Sequence, residues 1–282
     1  MLTEIRVRNP RRIVDTQLNL PLQGPSKFPI IFVDGLTPVA AEFTSSPYAN
    51  LPGEYLQSSR VGVRNIVLTL ELKPDWSAGE DPEDLRKILS GFFTPGHSVE
   101  FELVTDKATR HISGVVETFE APMFVREPQV QISVLCHDPY FYESPGLGET
   151  TFVTSIGDGY SIEFPNTGDV DAGVRIGITP DYQMQSISVH VGPSYEGMGV
   201  HPTFEVNVSV PPAQELVIDG RPFHKDVRNT TTGMQHLSSI VAGSVWPVFE
   251  PGNMAVIVTG RSTSSSPTYT VSVTYSRRYA TL

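Results

Sequence analysis

Ile66-Val67-Leu68-Thr69-Leu70-Glu71-Leu72 puts four aliphatic side chains on one side of an extended chain and Val67, Thr69 and Glu71 on the other. Alternation with a period of two is the mark of a half-buried β-strand. Val99, Phe101 and Leu103 alternate with Glu100 and Glu102 in the same way, as do Val130, Ile132, Val134 and Cys136 with Gln131 and Ser133. Between these strands lies one segment with a different period. In Asp81-Pro82-Glu83-Asp84-Leu85-Arg86-Lys87-Ile88-Leu89-Ser90-Gly91-Phe92, Asp81 can cap a helix and Pro82 suits its first position. Glu83 and Asp84 oppose the dipole, while Leu85, Ile88, Leu89 and Phe92 share one face. Thr94-Pro95-Gly96 stops the helix, predicted over about 82–93, before the next strand. The stretch from Leu51 to Tyr142 therefore reads as a β-domain with a single helix.

The rest of the chain extends that reading. At 282 residues there is length for two ordinary domains. Hydrophobic residues make up 39% and charged residues 18%, with 23 Gly and 24 Pro, which suits a globular chain of many short strands. Asp138-Pro139-Tyr140-Phe141-Tyr142 closes the first half, and Glu143-Ser144-Pro145-Gly146-Leu147-Gly148 supplies a breaker-rich loop. The predicted domains are 1–143 and 144–282. In the second, strands are expected at Thr151–Ser155, Tyr160–Phe164, Gly173–Ile178, Ser186–Val191, Thr203–Val210, Glu215–Ile218, Met254–Thr259 and Tyr269–Tyr275, which suggests a sandwich or jelly roll. The fold class is all-β, mainly strand with one short helix, and no internal repeat of fixed period occurs.

Charge and cysteine usage exclude several function classes. A net charge of -11 argues against general nucleic-acid binding, which depends on clustered Lys and Arg. Cys136 is the single cysteine, so no intramolecular disulfide can form, and its place on a strand's apolar face makes it a buried residue rather than a nucleophile. The first ten residues lack the apolar core of a signal peptide, and no run of about 18 apolar residues could cross a membrane. Synthesis in a cytoplasm without membrane insertion is the expectation.

Residues with catalytic or ligating potential do not group into sites. His137-Asp138 ends a strand before Pro139, where turn chemistry explains it better than a metal. Gly192-Pro193-Ser194-Tyr195-Glu196 misses the nucleophile elbow because its last residue is not Gly. Asp169 and Asp171 lack the twelve-residue loop and terminal Glu of a calcium hand. No phosphate loop, Cys-x-x-Cys or His-Glu-x-x-His occurs, so no catalytic residue, metal or cofactor is expected. Arg6, Arg8, Arg11 and Arg12 crowd the beginning of the chain around Glu4, either as a solvated strand edge or as contacts with an acidic neighbour. Trp246, in Val245-Trp246-Pro247-Val248-Phe249, is either a core residue or an aromatic platform for a sugar.

Several of these residues, in this order, resemble the distal tail protein (Dit) family of siphophages. The resemblance rests on Pro52-Gly53-Glu54, on Arg60, Gly62 and Arg64 as Arg-x-Gly-x-Arg at the start of a strand, on one helix ending near Phe93-Thr94-Pro95-Gly96, and on the closing Asp138-Pro139 with its aromatics. In the second half it rests on Phe164-Pro165-Asn166-Thr167-Gly168-Asp169 and Trp246-Pro247-Val248-Phe249-Glu250-Pro251-Gly252-Asn253, which resemble a galectin-like or carbohydrate-module-like sandwich. The resemblance implies a non-enzymatic virion protein at the distal end of a long non-contractile tail, forming a homohexameric ring. It also implies contacts with the tail tube protein, the hub or tip protein, and fibre or receptor-binding proteins, with DNA passing through the lumen without specific binding. The alternative is a carbohydrate-binding host-recognition protein. A glycan-active enzyme is disfavoured by the absence of a paired-carboxylate motif.

Overall fold

The computed structural model describes residues 1–13, 16–122, 128–143, 149–194 and 202–282. The chain separates into two compact units, Met1–Ser144 together with Ala280–Leu282, and Pro145–Tyr279.

Alternating side chains build the sheet of the first unit. Its strands are β1 (Leu2–Arg8), β2 (Gln17–Pro21), β3 (Ile30–Asp34), β4 (Ala41–Pro47), β5 (Glu54–Val61), β6 (Arg64–Glu71), β7 (Ser98–Thr105), β8 (Thr109–Glu120), β9 (Gln129–Cys136) and β10 (Phe141–Glu143). The main sheet runs β2-β1-β7-β8-β9-β6-β3, with β10 on β8. Ile66, Leu68 and Leu70 stand opposite Val134, Ile132 and Val130 in antiparallel register. All six are buried, so the faces that alternation assigned to β6 and β9 meet in one core. Gly114 on β8 makes room in that core: a Cβ there would lie 2.7 Å from Val134 and 2.8 Å from the Cys136 sulfur.

Helix α1 (Pro82–Phe92) begins in a full capping box. Asp81 accepts from the Asp84 N–H at 3.0 Å, and the Asp84 carboxylate reaches back to the Asp81 N–H at 3.4 Å. Such a cap contributes about 1 kcal/mol. Leu85, Leu89 and Phe92 are buried, and the Phe93 ring lies 6.4 Å from that of Phe101 on β7. Ile88, expected on the same apolar face, is exposed.

One sequence expectation is corrected here. Arg60, Gly62 and Arg64 do not open a single strand: β5 ends at Val61 and β6 begins at Arg64. Arg60 belongs to a separate two-stranded sheet formed by β4 and β5, whereas Arg64 is buried in the main sheet. The break at residues 62–63 lets the chain pass from a solvated hairpin to a packed strand.

The second unit is a two-sheet sandwich. Its strands are β11 (Glu149–Gly157), β12 (Ser161–Asn166), β13 (Ala172–Pro180), β14 (Met184–Pro193), β15 (Thr203–Val206), β16 (Leu216–Asp219), β17 (Asp226–Asn229), β18 (Val248–Phe249), β19 (Gly252–Ser262) and β20 (Thr268–Ser276). One sheet is ordered β11-β20-β13-β16-β17 with β18 on β13, the other β12-β19-β14-β15. Phe164 from one sheet stacks 5.9 Å from Phe249, whose ring meets Tyr275 edge-on at 5.0 Å, so aromatic rings join the two inner faces. Each of the eight expected stretches overlaps a strand. The stretch expected to reach Val210 leaves the ladder after Val206 and rejoins β14 at Val210, opposite Met184, while β17 and β18, of four and two residues, lie outside the expected stretches.

Candidate assembly surfaces

The β4–β5 hairpin is the surface that folding leaves unfinished. Among the described residues it pairs with no other strand, and every residue of β5 is exposed. Its register places Ala41 opposite Val61, Phe43 opposite Ser59 and Ser45 opposite Leu56 on one face. Glu42 and Arg60, paired at 2.7 Å, share the other face with Thr44 and Ser58. Phe43 is 66% exposed, and Leu56 and Val61 are exposed beside it. The hairpin is thus an arm that exposes Phe43, Leu56 and Val61 on one face, while Tyr55, opposite Ser46, is exposed on the face of Glu42 and Arg60. Burying an apolar side chain such as Phe43 contributes about 1.5–3 kcal/mol.

Buried Arg64 fixes the base of the arm. Its Nε donates to the Pro139 carbonyl at 2.6 Å, Nη1 to those of Gly35 and of Thr37 at 2.7 Å, and Nη2 to that of Ala280 at 2.7 Å. The guanidinium also lies 4.4 Å from the centre of the Phe141 ring. The side chain is 1% exposed and forms no salt bridge among the described residues, so carbonyl dipoles and a ring face replace its water, and burial lowers its pKa. Residues 35–37 precede the arm and Arg64 follows it, so one cation ties both of its roots. Gly35 is required there: its φ is +85°, and a Cβ would lie 2.0 Å from the Asn65 carbonyl oxygen.

The four arginines of the N-terminal segment do not share one environment. Arg6 bonds Glu4 at 2.8 Å and lies 3.7 Å from Glu102, while Arg8 stands opposite Glu100. In register with Glu102 on β8 is His111, whose pKa burial lowers although Glu100 and Glu102 act the other way. Arg11 and Arg12 lie in the turn after β1. Asn9 holds that turn on α1 by donating to the Phe92 carbonyl at 3.0 Å, and the Arg12 guanidinium sits 4.2 Å above the Phe92 ring. Arg12 thereby brings positive charge to a helix end whose last turn has none of its own.

Trp246 packs partly buried against the core of the sandwich. Its ring lies 4.7 Å from that of Phe204, and the Lys225 ammonium stands 5.7 Å from its centre. The same ring lines a cleft of about 200 Å³ with Val191, Pro193, Pro247 and Glu250. Trp246→Ala is expected to destabilise the second unit by about 2 kcal/mol, measured by urea unfolding. Wild type and variant compared on a glycan array test the sugar platform, which requires saturable binding that the variant loses.

The remaining motif residues have local partners. Asp138 accepts from the Tyr140 N–H at 3.3 Å and the Tyr142 hydroxyl at 2.5 Å, an Asx turn that closes the first unit. Cys136 is fully buried, and burial pushes its thiol up to about 12, the opposite of an activated nucleophile. The Ser194 N–H donates to the Asn253 carbonyl at 2.9 Å, while Tyr195 and Glu196 lie outside the described residues, as does the predicted loop at 144–148. Among the described residues no three His, Cys, Asp or Glu side chains gather as metal ligands, Asp169 and Asp171 included, and no helix is long and apolar enough to cross a membrane.

Two sheet-built units, one with an unburied arm, define an all-β chain whose conspicuous surface is apolar rather than catalytic. The same fold occurs in the solved structure of the Dit protein of phage SPP1, described as a paradigm of the hub adsorption apparatus in phages infecting Gram-positive hosts. The two superpose with a TM-score of 0.68 over 97% of this chain and 98% of that one, at 13% identity. Chains of the activated phage P2 baseplate with Ca and with Sr give TM-scores of 0.44 and 0.43 at 9% and 8% identity. The first covers 100% of both chains, the second 95% of this chain and 97% of that one. No protein-family model and no curated protein matches the sequence.

Proposed function

We propose that this chain is a non-enzymatic structural protein at the distal end of a long phage tail, where six copies close into a ring. The observation that carries the reading is the exposed apolar face of the β4–β5 arm on a chain with the SPP1 Dit fold. A ring needs a heterologous contact that closes on itself, and an arm reaching from one copy to the next supplies one. Among the described residues β2 and β3 end the main sheet with one edge unpaired each, and Ile31 and Phe32 on β3 are exposed. On this reading residues 1–143 form the ring and residues 144–282 serve as a spacer or platform for neighbouring tail proteins.

The ring joins the tail tube to the hub and its tip and receptor-binding proteins. DNA passes through without specific binding, in keeping with the net charge of -11. The protein is made in the host cytoplasm, enters no membrane and uses no cofactor. Negative-stain microscopy and native mass measurement of the purified chain, alone and with the tube protein, are expected to show six-fold rings. A chain that stays monomeric in both conditions overturns the proposal.

A further inference from the structure

A second exposed surface bears on how neighbouring copies meet, and it rests on the ring reading above. Trp76 is 71% exposed, although its loop is firmly built. Asp75 accepts from the N–H groups of Ser77 at 3.0 Å and Ala78 at 3.3 Å, Gly79 closes the turn at φ +76°, and the Glu80 N–H donates to the Asp75 carbonyl at 3.1 Å. Glu80 in turn is paired with Lys27. Hydrogen bonds therefore hold a turn whose one large apolar side chain gains nothing from them. An ordered loop that presents a bare indole is pre-organised for contact, because little entropy remains to be lost when a partner covers it.

The charges around Trp76 indicate what that partner is. Residues 75–84 contain Asp75, Glu80, Asp81, Glu83 and Asp84 and no base; Lys27 pairs with Glu80 and Arg86 with Glu83, so Asp75, Asp81 and Asp84 supply the net acidic charge of the rim at the N-terminal end of α1. At the other end of α1, Arg11 and Arg12 lie in the turn after β1, next to Arg8, the last residue of that strand, which stands opposite Glu100. Arg8 and Arg11 are exposed there, followed by exposed Ile13. Eleven helical residues put the two ends about 16 Å apart, beyond the reach of either set of side chains. Helix-dipole compensation accounts for Asp81, Glu83, Asp84 and Arg12. It leaves the exposure of Trp76 without a reason.

We infer that the Trp76 loop of one copy docks on the Arg8–Ile13 turn of the next, with the Arg11 guanidinium over the indole and the acidic rim facing the remaining arginines. An arginine on a tryptophan face is a favourable cation–π pair, and the surrounding opposite charges set the direction of approach. Because donor and acceptor lie at opposite ends of one helix, the contact is head-to-tail, as a closed ring requires.

Photo-crosslinking from p-benzoylphenylalanine at position 76 in assembled rings is the direct test. The expected product joins position 76 to the peptide of residues 8–13 from another copy. Trp76→Ala and Arg11→Glu, both at exposed positions, are each expected to raise the concentration needed for rings at least tenfold while circular dichroism stays unchanged. Crosslinks to any other segment, or rings formed by either variant at the wild-type concentration, overturn this contact and leave the ring reading standing. A wild-type chain that forms no rings overturns the ring reading first, and this contact with it.

Discussion

Replacing Arg64 with alanine is expected to lower the stability of the first unit by about 3 kcal/mol, because four carbonyl groups lose their donor and a large cavity opens. The figure is a balance. Burying a cation without an anion is costly in itself, and that cost disappears with the side chain. Four hydrogen bonds and the Phe141 ring face outweigh it, since carbonyls at Gly35, Thr37, Pro139 and Ala280 all converge on one planar group. Arg64→Lys is expected to restore little: an ammonium has three donors on a compact head and cannot serve four acceptors spread around a plane. Urea unfolding followed by amide exchange gives both readouts, with protection lost first at residues 35–37 and 280–282. An Arg64→Ala chain as stable as wild type would show that desolvation cancels the bonds and that the arm is anchored by other means.

Removing the arm should do the reverse, abolishing assembly and sparing the fold. Ala41 and Val61 are paired across the hairpin, so a two-residue Asn-Gly turn can replace residues 42–60 without moving the roots. Nearly all the deleted side chains are exposed, and the change in stability is expected to stay within about 1 kcal/mol. Rings, by contrast, should vanish from micrographs at every concentration tested. A shortened chain that still forms rings would remove the arm from the interface. One that unfolds would show that the arm is part of the core after all.

Much of the first unit was legible because its signals are local. Strands β6, β7 and β9 each carry a face of apolar residues at every second position, and α1 carries its cap, its leading proline and its apolar face within twelve residues. Even the burial of Arg64 was written in parity, since it shares the face of Ile66, Leu68 and Leu70. The arm was not legible. Ser45, Ser46, Ser58 and Ser59 blur the alternation between Ala41 and Val61, and nothing in composition tells a strand that packs at home from one that waits for a neighbour. The arginines were read as a single cluster, yet Arg6 and Arg8 belong to a strand while Arg11 and Arg12 belong to a helix end.

The sequence by itself determined the class of the chain: short alternating strands, one capped helix and a single cysteine on a buried face. These follow from the period of side chains along a backbone, which needs no knowledge of distant residues. Only the tertiary structure decided which surfaces remain unsatisfied. The bond from Arg64 to Ala280 spans 216 positions, and the exposure of Phe43 and Trp76 depends on where every other element comes to rest. Burial is a property of the whole packed unit, so the surfaces left for a partner emerge only once the chain has packed against itself.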